Sequence, residues 1–436
     1  MTRRVAILCS QPYLGGMLNT LRNAATLFNE IKGHFGLDQI VVGLKTDAYS
    51  RDVVDRLRAG NLEVRNCSYE NVDSKFLKRF LGAEIVPADV GRFPYFARPV
   101  DGADGYDYLD CEAWLCWSLP NQAPLAPLRP YAAFLADAIP RVCPPPMSES
   151  DHESSDPFTG TFWSSYRNHL ASYRNARAVF CTTPKTLGDA IAYVGVAKQK
   201  MLLLPHVHLA TRCRETASLI ERPSEPRGAY FVWPTNAAYH KNQPRAIAAI
   251  KAYLDRYGGQ LDIAVIGPWS DRLLGKSEWY HLEKFNEIYA SMPRRHQRRI
   301  HFLGELPDDQ VIEVFAHSEF VWQNAVYDNG SASAMECGEL GVPVVSCDYP
   351  QMRHWVQFFG LEARFFDPYR ADDAARVLKQ AETERSAGTF KGRFEVPKDF
   401  HDILRNAYSN LLGRLIDEPA PQLPFAIPAE ALGDLS

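Results

Sequence analysis

Twice along this chain, short apolar runs of strand length alternate with helical patterns, and a polar, proline-containing stretch separates the two series. That rhythm constrains the fold more than any other feature. Parallel strands need a crossover between them, the usual crossover is a helix, and helices on both faces bury the sheet. In the first series Val5-Ala6-Ile7-Leu8-Cys9 precedes the turn Gln11-Pro12-Tyr13-Leu14-Gly15-Gly16 and a helical pattern from Met17 to Lys32. Gln39–Leu44, Tyr131–Leu135 and Ala178–Cys181 read as further strands. Glu221–Gly228 is the hinge candidate, and beyond it come Ala229–Trp233, a helix over Gln243–Tyr257, Leu261–Gly267, Arg299–Gly304, Phe320–Trp322 and Pro343–Ser346. The pattern predicts an α/β protein of two doubly wound, parallel-sheet, Rossmann-like domains facing each other across a cleft, with ligands at the carboxyl ends of the strands. A length of 436 residues agrees with two domains. They are expected over 1–222 and 229–396, with a helix over 397–417 packing back on the first and a proline-rich, poorly ordered tail over 418–436. Residues 98–129, rich in acids and aromatics, and Cys143 through Pro157 read as long surface loops, the second a lid.

Composition narrows the function classes. A net charge of −4 gives no reason to expect a nucleic-acid partner. Nine cysteines at irregular spacing do not form a disulfide framework, which points to reduced thiols in a cytoplasmic protein. Cys111 and Cys116 lack a second pair for zinc. The N-terminal apolar run is too short for a signal peptide, and no segment approaches the roughly 20 apolar residues of a membrane span. Lys75-Phe76-Leu77-Lys78-Arg79-Phe80-Leu81 combines bases with large apolar side chains. It reads first as a core-facing stripe with solvated bases beside it, and second as a peripheral contact with the inner face of a membrane. Arg294 to Arg299 reads as a solvated helix end, and His206 and His208 as structural histidines.

The chemistry concentrates in the second half. Asp328-Asn329-Gly330-Ser331-Ala332-Ser333-Ala334-Met335-Glu336 sets two carboxylates around small residues leading into an apolar segment. Small residues before a helix let backbone N–H groups reach a phosphate, while flanking acids accept hydrogen bonds from hydroxyls. A nucleotide-sugar carries both groups; a capped, solvated loop is the other reading of the same residues. Upstream, Trp233-Pro234-Thr235-Asn236 and Tyr239-His240-Lys241-Asn242 place a lysine before a helix, where it can pair with a diphosphate. Ile266-Gly267-Pro268 ends a buried strand tightly, and Phe302-Leu303-Gly304-Glu305-Leu306-Pro307 leads into Asp308-Asp309, a capping segment for the next helix. In the first domain Asp137 stands at a strand end, as a partner for an acceptor hydroxyl or as a helix cap.

In this order the features resemble the retaining family-four glycosyltransferases of the GT-B fold, with a mannosyltransferase-like subgroup nearest in the segment Tyr131 through Pro140. The matching residues are Asp328 and Glu336 of an acid–seven residues–acid element, Lys241, the Gly304–Leu306 turn, Gly341-Val342-Pro343-Val344-Val345, and Pro12, Gly15 and Gly16 in the first domain. The resemblance implies that Lys241 neutralises the diphosphate, with Asn236 and His240 beside it. It implies that Ser331 and Ala332 hold the same phosphates through backbone N–H groups, with Asn329, Gly330 and Ser333 lining the turn. Glu336 then binds the ribose, Asp328 the donor sugar, and Leu306, with Gly267 near it, flanks the base. Gly15 and Gly16 close over the donor, and Asp137 serves the acceptor. Three departures stand out: Asp328 replaces the usual glutamate, Ala136 stands where the subgroup often has histidine, and no arginine precedes Lys241 by five or six residues. His240 or a first-domain arginine is left to replace that missing cation. The implied activity is retaining, metal-independent and cofactor-free transfer of a sugar, mannose from GDP-mannose first, to a glycan or lipid-linked glycan in bacterial surface polysaccharide assembly. A nucleotide-sugar epimerase or hydrolase of the same fold, or a degenerate non-catalytic sugar-nucleotide-binding subunit, is the alternative.

Overall fold

The structure, a computed structural model, describes residues 2–13, 16–49, 51–75, 77, 93–101, 108–143, 157–206, 226–275, 280–330 and 332–416. Among the described residues, β1 Arg4–Cys9, β2 Gln39–Leu44, β3 Glu63–Asn66, β4 Ser68–Asp73, β5 Tyr95–Val100, β6 Ala113–Cys116, β7 Tyr131–Phe134, β8 Ala178–Cys181 and β9 Met201–Leu203 fall in the first half. The second half holds β10 Tyr230–Pro234, β11 Asp262–Ile266, β12 Ile300–Gly304, β13 Val321–Gln323, β14 Val344–Cys347 and β15 Ala363–Phe366. Two parallel sheets result, ordered β3-β2-β1-β6-β7-β8-β9 and β12-β11-β10-β13-β14-β15. Strands β4 and β5 form a separate antiparallel pair. The fold is therefore α/β with two Rossmann-like sheets.

In each sheet the strand order reverses beside the first strand, at β1/β6 in one and β10/β13 in the other, while all strands stay parallel. Loops leaving those strands diverge to opposite faces and leave a crevice at the carboxyl edge. Burial on both faces explains the uninterrupted apolar runs: Val5 to Leu8, Tyr230 to Val232 and Ile263 to Val265 are fully buried. The helix Phe400–Ile416 lies against the first sheet, where Leu404, Tyr408, Leu411 and Leu412 join Val5, Ile7 and Phe28 in one apolar cluster. Met335, Trp355 and Phe359 of the second half enter that same cluster, so the two halves share buried apolar surface. Each such large side chain contributes about 1.5–3 kcal/mol on burial.

Several expectations require correction. Residues 98–129 are not a surface loop throughout, because β5 ends there and Ala113–Cys116 is a fully buried strand between β1 and β7. Four residues buried on both faces show no alternation, and the acids and aromatics around them hide the strand. Asp308 and Asp309 do not cap the helix Asp308–Ala316 through their side chains; Pro307 occupies the cap and both acids sit in the first turn, favourable to the dipole. Arg299 is not solvated, since it donates to Asp262 Oδ1 at 3.0 Å and to the carbonyls of Gly259 and Leu261. His206 is buried with its ring 4.9 Å from that of Trp355, a structural contact between the halves, while His208 lies outside the described residues. Of Lys75–Leu81 only Lys75 and Leu77 are described, with Leu77 buried; the tail 418–436 and residues 144–156 of the proposed lid also lie outside. Among the described residues eight cysteines are free, and no helix is long and apolar enough to cross a membrane.

Candidate functional site

The site forms where β10 and β13 end side by side. After β10, the Thr235 N–H donates to Ile266 O, and Asn236 Oδ1 accepts the N–H of Ala238 at 3.0 Å. The fully buried Gln243 amide donates to the carbonyls of Asn236 and Ala238, at 2.5 and 2.9 Å. One 3-10 turn, Tyr239–Lys241, then leads to Asn242, whose left-handed backbone (φ 60°) redirects the chain into the helix Gln243–Asp255. Asparagine tolerates this conformation better than most residues. The result aims Lys241 at the β13 loop.

That loop is fastened to the turn facing it. Asn324 Nδ2 donates to Asn242 O at 3.1 Å, and the Val326 N–H to His240 O at 2.9 Å. Lys241 Nζ is ion-paired with Asp328 Oδ2, each side chain 19% exposed. Asp328 Oδ1 accepts the Asn329 N–H at 2.8 Å. Gly330 follows with φ +98°, and a Cβ there would lie 2.1 Å from Trp355 Cδ1. Beyond it the helix Ala332–Glu339 begins. Its first residue touches the other half of the protein: a Cβ on Gly16, which opens the helix Gly16–Ile31, would sit 3.1 Å from Ala332 Cβ. Two helix N-termini thus meet four residues beyond Asp328, the ion-pair partner of Lys241, and the partial positive charge of each favours an anion.

Charges act across the crevice. Burial raises the Asp137 carboxyl to about 7, Asp328 adds to the rise and Lys241 opposes it, so these three groups share one electrostatic environment. Asp137 Oδ1 also accepts the Ile139 N–H at 2.9 Å, a local turn bond rather than the expected helix cap, since Ala138 occupies the cap of the short helix Ile139–Val142. Burial pushes Asp328 up, but the Lys241 charge and hydrogen bonds outweigh it and hold the carboxyl below its ordinary range. Burial, then the neighbouring Lys241 charge, lower His240 to about 4. With these neighbours His240 is neutral near pH 7, which leaves Lys241 as the cation of this turn.

The other expected residues are placed as follows. Gly267 has φ +122°, its N–H donates to Gly304 O at 2.8 Å, and a Cβ would lie 2.2 Å from Thr235 O. Only glycine lets these adjacent strand ends approach. Leu306 packs against the apolar core of the second half. Ser333 and Glu336 lie on the first turns of the Ala332–Glu339 helix and are partly exposed. Asn329 is buried, and its Oδ1 accepts from Thr182 Oγ1 at 2.7 Å, so its side chain faces the first half of the chain. Gly15 and Ser331 lie outside the described residues. Tyr349 was not anticipated: it is buried at the end of β14, feels the Asp328 charge, and its hydroxyl has no hydrogen-bond partner among the described residues. An aromatic directly before Pro350, after a buried strand, was the available signal.

Comparisons with known proteins agree with this geometry. Residues 221–395 match the family model described as Glycosyl transferases group 1, a span containing Lys241, Asp328 and Glu336. No curated protein matches the sequence. Among solved structures, Anabaena HepE in complex with UDP-glucose is similar at TM-score 0.57 and 13% identity, over 94% of this chain and 99% of that one. A glycosyltransferase from Rickettsia africae aligns over 96% of each chain at TM-score 0.56 and 8% identity. Sucrose-phosphate synthase from Thermosynechococcus elongatus covers 100% of this chain and 98% of its own, at TM-score 0.54 and 12% identity. At such identities the likeness establishes the fold, which is that of the GT-B glycosyltransferases.

Proposed function

We propose that this protein transfers a sugar, with retention at the anomeric carbon, from a nucleotide-diphosphate donor to a glycan or lipid-linked glycan acceptor. The observation that carries the reading is the Lys241–Asp328 pair at the β10/β13 switch point, inside the segment that matches the glycosyltransferase family. A diphosphate entering beside Lys241 supplies that ammonium with a second anion, and the two helix N-termini add to the attraction. As the bond from the anomeric carbon to the phosphate oxygen breaks, the same groups stabilise the charge that grows on the leaving diphosphate. The new bond forms from the acceptor hydroxyl oxygen to the same face of the sugar, and the hydroxyl proton passes to the departing diphosphate oxygen. Asp328 holds donor-sugar hydroxyls and Glu336 the ribose. These roles need neither a metal ion nor a cofactor. UDP-glucose, which the Anabaena structure contains, joins GDP-mannose as a first donor to test.

Release of nucleoside diphosphate from a panel of UDP-, GDP-, ADP- and dTDP-sugars tests the reading. Wild type is expected to turn over at least one of them and Glu336→Ala none. Turnover of none by wild type would favour a non-catalytic sugar-nucleotide-binding subunit.

In this reading Asp137 accepts the hydrogen bond of the acceptor hydroxyl, and its pKa sets the pH dependence. Burial raises the carboxyl to about 7, so the ionised form dominates only above that pH. Transfer at limiting acceptor should therefore rise with pH through about 7, and Asp137→Asn should remove that limb together with most of the rate. A limb unchanged in the variant assigns it to another group. The linkage runs the opposite way for stability. The folded protein holds this proton more tightly than the unfolded chain, so the Asp137 contribution falls as pH rises from about 4 through about 7.

A further inference from the structure

The loop carrying Asp328 is held from two sides, and successive residues alternate between them. Asn324, Val326 and Asp328 bond to Asn242, His240 and Lys241, all within the second domain. The residues on either side of Asp328 face the first domain instead. Tyr327 donates its hydroxyl to Asp189 Oδ2 at 2.6 Å, and Asn329 Oδ1 accepts from Thr182 Oγ1 at 2.7 Å. All four are at most 5% exposed. Beyond the end of β13 the backbone bends at Val326, Tyr327 and Asn329, and one short segment thereby serves both domains.

The first-domain partners are themselves fixed. Thr182 and Thr183 directly follow β8, and the short helix Pro184–Asp189 is capped by the Thr183 side chain accepting the Thr186 N–H at 3.2 Å. Asp189 ends that helix, ion-paired with Lys185. On the other side, Trp355 Nε1 donates to Asn329 O at 3.1 Å. A buried hydroxyl-to-carboxylate hydrogen bond is strong and short, so its geometry is restrictive.

We propose that Asp189 and Thr182 are positioning residues for Asp328: by gripping Tyr327 and Asn329 they make the place of the carboxylate depend on contact between the two domains. The inference rests on the proposed role of Asp328 at the donor sugar. It gives the domain interface a chemical consequence, since a rotation that breaks these bonds also moves Asp328 relative to Lys241. Displacements of about an ångström at a reacting centre cost up to 10²-fold in rate.

Tyr327→Phe keeps the buried ring and removes only the hydroxyl; Thr182→Val does the same to the other bond. Each is expected to lower kcat about tenfold while changing the donor KM less than threefold, with melting temperatures within a few degrees of wild type. The deciding arm repeats Tyr327→Phe in an Asp328→Asn background. A residue that acts through Asp328 costs nothing further there, whereas a purely structural one lowers the rate by the same factor as before. Equal losses in both backgrounds, or no loss in either single variant, overturn the proposal. A wild type that turns over no donor condemns the functional reading instead. A crystal structure of the Tyr327→Phe, Thr182→Val double variant then decides the positioning on its own: separation of Asp328 from Lys241 supports it, and an unmoved pair refutes it.

Discussion

Replacing Lys241 with methionine is expected to lower sugar transfer by about 10²–10³-fold, mostly in kcat, as loss of a single preorganised electrostatic contact does elsewhere. The reasoning starts from which cations reach the site. The arginine expected before Lys241 is absent from the sequence, and His240, lowered to about 4, is neutral. Lys241 therefore carries the charge that this turn offers to a departing diphosphate. Methionine retains most of the side-chain volume, which separates loss of charge from loss of packing. The change has a second effect, because Asp328 loses its ion-pair partner in a mostly buried place. Its carboxyl then rises from its depressed range, since burial is the largest influence left on it. The variant should accordingly lose more activity at mildly acidic pH than at pH 8, when measured as the rate of acceptor glycosylation. A loss below tenfold would transfer the leaving-group role to other groups.

The second large effect is on stability. Gly330→Ala is expected to destabilise the fold by about 2–4 kcal/mol, from left-handed backbone strain and overpacking together. The backbone stands at φ +98°, and the new methyl would lie 2.1 Å from Trp355 Cδ1 and 2.3 Å from Nε1. Trp355 cannot retreat. It is 1% exposed, donates to Asn329 O, stacks on Phe359 at 5.6 Å and meets His206 at 4.9 Å. The strain falls on the turn between Asp328 and the Ala332–Glu339 helix, so activity should fall further than stability accounts for. Urea unfolding of wild type and variant measures the first quantity. A difference below about 0.5 kcal/mol would mean that the ring moves and the turn is not held as described.

How much of this was legible in the amino-acid order depends on distance along the chain. The strands β1, β10 and β11 are apolar runs that end abruptly at turn residues, and they fall where the pattern places them. The same local signals singled out Lys241 and the Asp328–Glu336 element. Their pairing was not legible, because 87 positions separate Lys241 from Asp328 and only the strand order β10-β13 joins them. Strand β6 was hidden for another reason: four residues buried on both faces have no alternation to show. Thr182 and Asp189 look like ordinary residues around a short helix, and nothing near Asp189 announces a partner 138 positions away. The neutrality of His240 was equally invisible, since it comes from burial and from the charge beside it.

Binding of donor to the crevice is the claim on which everything else stands, and a thermal-shift screen of the full chain against UDP-, GDP-, ADP- and dTDP-sugars tests it most directly. A ligand that binds only the folded state raises the melting temperature, by an amount equivalent to about 2.7 kcal/mol at a hundredfold excess over its dissociation constant. The account predicts a clear rise with at least one nucleotide-sugar, reduced or lost in both Lys241→Met and Glu336→Ala. An unchanged melting temperature across the whole panel would contradict it, and so would a rise that both variants retain in full.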